Sequence, residues 1–356
     1  MAYTTIDDPS AYFQTALWSG DGSTNNAITN DGNSNLQPDF VWIKKRTNAD
    51  DHILANTSSG ATKYLIPNTT GTEQTYSGNV KSFDSNGFTV GDGNQINQGS
   101  NTFVGWQWKA NGGTTTTNDA SSTGVGTIDS VYQANTTAGF SIVTHTGSGS
   151  AGNIAHGLGA VPEWILTKNR SQAASWANYH VGIGNGYYLE LDTDDAKESA
   201  SSVWGDTTPS STTFRVGGAN TKNNSSSNNF VSFCFTPIQG YSKFGSYTGN
   251  GNADGPFVYT GFKPAWLLIK NTAADANWML LDNKRDPFND ATPAYMDVDL
   301  NNAENTSSDA PIDFLSNGFK VRTTSSIRNP NGEIVVYMAF AESPFVSSEG
   351  VPTTAR

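Results

Sequence analysis

The chain has 356 residues, a formal net charge of −12, and charged residues making up only 15% of the total. Its length exceeds what one hydrophobic core usually organises, so two or three domains are expected. No run of Lys and Arg is available to neutralise phosphates, which argues against a nucleic-acid partner, and the acidic balance argues against an anionic membrane face.

The first eight residues, Met1 to Asp8, carry neither a basic start nor an apolar stretch, so no secretory leader is expected and folding is assigned to a cytoplasm. No segment approaches 18 consecutive apolar residues, so no membrane insertion is expected. Aromatics at 11% and abundant Gly, Asn, Ser and Thr suit strands joined by tight turns.

In chain order the same set of anchors recurs three times. A Gly-x-Gly turn opens each set at Gly20, Gly147 and Gly249. A Pro-x-(Phe/Trp) strand ending in Lys follows, as Pro38–Lys44, Pro162–Lys168 and Pro264–Lys270. Eight residues past each Lys come His52, Trp176 and Trp278, and further on Tyr64, Tyr188 and Tyr295. A Phe-x-Val strand starts at Phe88, Phe214 and Phe319, and an aromatic-rich strand closes each set at Trp108, Phe235 and Phe340. Phe40, Trp42, Trp164, Leu166, Trp266 and Leu268 fall at alternate positions, the pattern of a strand with one face buried. Ser-Asn-Gly before Phe88 and Phe319 suits a hairpin with residues tolerant of positive φ.

These anchors predict an all-β protein of three tandem β-sandwich units, jelly-roll or lectin-like, each with seven or eight short strands. Unit one spans 1–109, a polar connector 110–137, unit two 138–238, unit three 239–345 and a tail 346–356. Short helical insertions are expected between strands, with Asp192–Trp204 as the candidate. The Gly/Ser/Thr-rich connector has little to bury and is expected to lie along a neighbouring surface.

No catalytic, cofactor-binding or metal-binding residue is assigned. Cys234 between two Phe reads as a small buried strand residue. His52, His145, His156 and His180 form no His-x-x-x-His pair and no nucleophile motif, and His145 takes the place of Tyr247. Asp192–Asp195 offers oxygens to Ca²⁺ but lacks the Gly and terminal Glu of a helix–loop–helix calcium loop, so a solvated turn is preferred. Asp297 and Asp299 alternate along a strand, yet an acid pair found in one unit cannot be a mechanism shared by three. Lys44, Lys168 and Lys270 read as strand-end charges that discourage edge-to-edge pairing. The Gly-x-Gly turns lack the third Gly and helix of a dinucleotide site.

The strings TAGFSIVTHTGSG (137–149), HGLGAVPEWILTKNR (156–170), YSKFGSYTGNGNADGPFVYTGFKPAW (241–266) and VYMAFAESPF (336–345) resemble a tandem-repeat domain of bacteriophage virion proteins. That domain occurs in structural and tail-fibre-like proteins of tailed phages of aquatic bacteria. The resemblance covers units two and three, roughly 137–345, while unit one joins through its internal register. It implies a non-enzymatic virion protein without cofactor, tail-associated or fibre-like, whose partners are other virion proteins, further copies of itself and a host-surface glycan. Capsid decoration is the alternative within the virion; a polysaccharide-degrading tail enzyme and a free carbohydrate-binding module are alternatives outside that class. A glycan groove would draw on exposed aromatics such as Tyr187 or Trp204.

Overall fold

The computed structural model describes residues 3–354. The first segment contains β1 (Phe13–Ser19), β2 (Asn26–Thr29), β3 (Phe40–Lys45), β4 (Ile53–Asn56), β5 (Lys63–Tyr64), β6 (Gln74–Thr75), β7 (Val80–Asp84), β8 (Gly87–Val90) and β9 (Thr102–Trp108). The second contains β10 (Thr116–Asn118), β11 (Ser130–Asn135), β12 (Phe140–Thr146), β13 (Gly152–Ala155), β14 (Trp164–Asn169), β15 (Ala177–His180), β16 (Tyr187–Glu190), β17 (Glu198–Ser199), β18 (Thr213–Val216) and β19 (Asn229–Phe235). The third contains β20 (Ser242–Thr248), β21 (Phe257–Tyr259), β22 (Phe262–Asn271), β23 (Met279–Asp282), β24 (Ala294–Asp297), β25 (Asn305–Thr306), β26 (Ile312–Leu315), β27 (Gly318–Val321) and β28 (Ile334–Pro344).

All strand pairing is antiparallel, and the protein is a β-sandwich structure in which three large sheets share one strand order. The orders are β1-β9-β3-β4, β12-β19-β14-β15-β16-β17 and β20-β28-β22-β23-β24-β25. In the first, β4 is carried on to β5 by the Leu54–Leu65 bridge. In each, the closing aromatic lies between two strands: Trp108 is paired with Phe13 and Phe40, Phe235 with Phe140 and Trp164, and Phe340 with Ser242 and Trp266. A smaller sheet covers one face of each: β2-β8-β7, β13-β18 and β21-β27-β26.

Burial of the paired strands differs from the one-sided pattern expected. β3 and β14 are buried at every position. Alternation sorts side chains between two cores instead of between core and water. Val41 and Ile43 enter the core of the first sandwich, Ile165 that of the second, and Leu267 and Ile269 that of the third. The intervening Phe40, Trp42, Trp164, Leu166, Trp266 and Leu268 all enter one central core common to the three segments. At its middle Trp108, Phe235 and Phe340 form a triangle, with centroids 6.5, 5.8 and 5.5 Å apart and edge-to-face planes. That geometry suits the ring quadrupoles. The sheets thus line the sides of a three-sided prism, with the smaller sheets outside.

The polar connector is not a plain linker. β10 and β11 extend the second large sheet beyond β12, with Ser130–Asn135 in continuous register with Phe140–His145. Backbone pairing needs no apolar side chains, and a short helix, α1 (Ala120–Thr123), joins the two strands. Its Asp119 cap accepts from the Ser121 and Ser122 amides. The other described helical turns are Pro9–Ala11 and Asn94–Asn97. The helical insertion expected over Asp192–Trp204 is absent; that stretch holds β17 and turns.

The two Ser-Asn-Gly hairpins form as expected, with Gly87 at a positive φ of 117°, and both glycines also answer a steric need. A Cβ on Gly87 would lie 1.9 Å from the Ile28 carbonyl oxygen, and one on Gly318 2.0 Å from that of Val258. The neighbouring strand passes too close for any side chain.

Candidate functional site

The sequence singled out Lys44, Lys168 and Lys270 as edge charges; all three are fully buried. Each ammonium crosses a seam between segments. Lys44 donates to the Asn301 carbonyl at 3.2 Å, Lys168 to that of Thr69 at 3.4 Å, and Lys270 to that of Asp194 at 2.6 Å. Each also donates to a carbonyl near its own strand, of Lys45, Ala174 and Ala276. Burial lowers all three to about 8, against the pull of nearby carboxylates in each case.

The residue eight positions later makes a second seam bond. Trp176 Nε1 donates to the Ile66 carbonyl at 3.0 Å, and Trp278 Nε1 to that of Glu190 at 2.8 Å. His52 Nε2 meets the Asp297 carbonyl at 3.2 Å. The direction is cyclic: segment two reaches one, three reaches two, and one reaches three. Backbone bonds follow the same cycle, from Asp50 to Asn301, Ala174 to Thr70 and Ala276 to Asp194. Two seams add a bidentate ion pair, Arg46 with Glu304 and Arg170 with Glu73. The third seam has Thr272 and Lys197 at those places, joined only through backbone.

One repeated role behind the seams escaped the sequence reading: the seam residue of each segment is held from within that segment. Asn68, Asp192 and Asp299 accept the backbone N–H of His52, Trp176 and Trp278 respectively. Burial raises Asp192, and raises Asp299 to about 7. Asp299 thus holds the Trp278 backbone within its own segment, while Asp297 offers its backbone carbonyl to His52 across the seam. The two carboxylates do not flank a cleft as a glycosidase pair.

The remaining histidines are also held by backbone carbonyls. His145 meets that of Asn223, His156 that of Ser210 and His180 that of Tyr337, at 3.1, 3.2 and 3.1 Å. Burial lowers each of these three to about 4, and His52 well below its ordinary value. Trp18 and Tyr247 occupy the places matching His145 and likewise donate to carbonyls, of Ile96 and Arg328. Cys234 is fully buried in the second sandwich core, and burial pushes its thiol up.

The acidic stretch Asp192–Asp195 is divided. Asp192 holds the Trp176 backbone within its segment, and the Asp194 carbonyl serves the seam; Asp195 lies with Glu190 and Glu198, their carboxylate oxygens within 4.8 Å of one another. Lys222 is already their counter-ion, 3.0 Å from Glu190 and 3.2 Å from the Tyr188 hydroxyl that donates to Glu198. Of the two aromatics proposed for a glycan groove, Tyr187 is exposed but carries the Lys197 ammonium 4.7 Å over its ring. Trp204 is 2% exposed, packed edge-on to Tyr179 inside the second sandwich. Its side chain cannot take part in a surface groove.

Two grooves among the described residues are open and roomy enough to consider. One of about 450 Å³ lies over β10–β12, among Asp129, Ser130, Thr144, Thr146, Arg170 and Asn229. The other, about 270 Å³, lies on the seam between segments one and three, with Phe13, Gln14 and Thr15 on one side and Asn283, Lys284 and Glu342 on the other. In the first, His145 also lines the groove opposite Ser130, but its Nε2 meets the Asn223 carbonyl while the Ser130 hydroxyl donates to that of Ala155. Neither groove gathers the nucleophile, base and anion-stabilising donors of a hydrolytic site.

The sequence pattern of a domain of unknown function (DUF7483) matches residues 8–344. The chain belongs to the DUF7483 family. The match takes in all three segments as one domain, which suits a structure whose sheets share a core. No curated protein matches the chain.

Proposed function

We propose that this DUF7483 protein is a non-enzymatic structural subunit of a bacteriophage virion, tail-associated or fibre-like, built as three tandem β-sandwich units closed into a ring. The resemblance of four long strings to virion proteins carries the reading. Those strings contain Phe140, Trp164, Lys168, Trp266 and Phe340, the residues of the central core and its seams. What the resemblance shares is thus the apparatus that holds three sheets together. The repeated lysines and the four histidines are engaged with backbone carbonyls, which supports a structural over a catalytic role.

A capsid decoration protein is the second reading, favoured by the prism's compact form over that of a long fibre shaft. A host-surface glycan contact has Tyr187 as its remaining aromatic from the sequence. The test is to purify phage particles from a strain encoding the chain and measure it by mass spectrometry and cryo-electron microscopy. A fixed copy number at a defined position is expected. Absence from the particles refutes the proposal, and particles lacking the protein that adsorb normally move it to decoration.

A further inference from the structure

The second large sheet outruns the central core. Ile142 and Val231 enter that core, but Thr144, opposite Val231 and next after Ile142 on the same face of β12, is only half-buried. Pairing carries this face outward: Val131 of β11 is opposite Thr144, and Thr117 of β10 is opposite Val131. It also continues along the strands, because Thr146 is opposite Asn229, and Arg170 donates its backbone N–H to the Asn229 carbonyl. Residues directly opposite share a face, as do residues two apart. Thr117, Val131, Thr144, Thr146, Asn229 and Arg170 thus line one side of the sheet, and all six border the groove of about 450 Å³.

The other two segments have no such surface. Leu17 and Ser246 hold the place of Thr144, opposite Val104 and Val336, but among the described residues β1 and β20 are the last strands of their sheets. The groove exists because the connector adds β10 and β11. Ladder bonds hold those two strands whatever side chains they carry, so the hydroxyl and carboxylate they present here answer another need.

The rim is open to solvent, with Thr117, Asp129, Thr146 and Asn229 all exposed. Donors and acceptors alternate around it. The Thr146 hydroxyl donates to Asn229 Oδ1, which leaves both amide N–H groups of Asn229 for a ligand. Asp129 accepts the Ala120 N–H through one oxygen, and no cation pairs with the other among the described residues. Arg170 gives Nε and one amino group to Glu73, leaving its second amino group. Val131, between Thr117 and Thr144, makes an apolar patch in the floor.

That set selects a ligand class. An anion would need the charge of Arg170, which Glu73 already balances. A divalent cation would find one carboxylate where several oxygen ligands are wanted. An apolar molecule would strip water from hydroxyls it cannot bond. A sugar ring matches both parts, with hydroxyls that donate and accept around its edge and a C–H face to rest on Val131. The volume lies within the roughly 300–1,000 Å³ of small-ligand clefts.

We infer that the groove over β10–β12 binds a neutral carbohydrate, one or two sugar units of a longer glycan. The inference rests on the proposed function for the source of the glycan and on the groove for the site. Sugar binding and presence in particles are measured separately, so either can fail alone.

The test titrates the full chain with methyl glycosides of glucose, galactose, mannose and N-acetylglucosamine, and with maltose, cellobiose and lactose. Calorimetry and amide NMR shifts read the binding. At least one sugar should saturate with a Kd of about 0.1–10 mM. Shifts should centre on Thr117, Val131, Thr144 and Asn229. The Kd should change less than about twofold between roughly 20 and 300 mM salt, because a neutral ligand is not screened. Thr117→Val keeps the branched shape and removes the hydroxyl, while Asn229→Ala removes the amide. Each should weaken binding about two- to tenfold with the amide spectrum elsewhere unchanged. No saturation by about 50 mM of any sugar, shifts centred away from β10–β12, or affinity unchanged in both variants overturns the inference. Tighter binding of inorganic phosphate at the same residues, weakened by salt, also overturns it, in favour of an anion held by Arg170.

Discussion

Replacing Lys270 with Met probes the seam that has no Arg–Glu pair. Met keeps the length and apolar stem of the side chain but removes two ammonium hydrogen bonds, to the carbonyls of Asp194 and Ala276. Bonds from a charged donor contribute about 1.5–3 kcal/mol each, so the loss is about 3–6 kcal/mol. The substitution also removes the cost of burying the charge. A fall from 10.5 to about 8 corresponds to about 3 kcal/mol near neutral pH. The two terms nearly offset, leaving Lys270→Met less stable than the parent by about 0–3 kcal/mol at pH 7.5.

The sign of the pH dependence separates this account from a packing defect. The folded lysine loses its proton near pH 8 and the unfolded one near 10.5. Between those values the unfolded state binds more protons, so Lys270 makes the parent more stable as pH rises. From pH 7.5 to 9.5 the gain is about 2 kcal/mol, and Lys270→Met lacks it. Buried tyrosines and Cys234 titrate identically in both proteins and cancel in the difference. Denaturant unfolding at several pH values should therefore show the deficit widening by about 2 kcal/mol. A deficit that stays constant across the window refutes the charged-lysine account of the seam.

Trp108→Ala should cost about 3–5 kcal/mol in denaturant unfolding, the usual range for a large buried aromatic, and should leave a single transition because the central core is shared. Residues 138–238 expressed alone should fail to give dispersed NMR spectra, since Phe140, Trp164, Phe233 and Phe235 would face water; a well-folded fragment would show that the second sandwich is self-sufficient. Combining Thr272→Arg with Lys197→Glu should install the ion pair present at the other two seams and raise stability by up to about 1 kcal/mol, read as a shift in melting temperature.

The sequence was legible where a side chain does the work. The period-two strands, the hairpin turns, the recurring Lys with His or Trp eight residues on, and the closing aromatic were all visible as repeated anchors, and the strand orders follow them. It was silent where the backbone does the work. Each seam is accepted by carbonyls at Ile66 and Thr69, Glu190 and Asp194, or Asp297 and Asn301, and any residue type can supply a carbonyl. The set Asn68, Asp192 and Asp299 was hidden twice, by an Asn replacing an Asp and by five additional residues before Asp299. The connector was legible only as a segment lying along a neighbouring surface; that Ser130–Asn135 does so through ladder bonds to β12 is not recorded in composition. One-sided burial was expected because alternation cannot distinguish a strand facing water from one facing a second core.

A ring closed within one chain differs from a symmetric trimer in a way that bears on function. In a trimer of identical subunits every seam must be the same, so a groove open at one is open at all three. Here the seams have diverged while the central triangle has not. The first has gained β10 and β11, the second has closed on Gly182, and the third keeps an ion network in which Arg285 joins Asp282 and Glu304 beneath an open groove. Trp106 donates to the same Asp282 carboxylate, so the floor of that seam is fixed from both sides. A single chain can thus let its three seams diverge on a body whose core is three-sided.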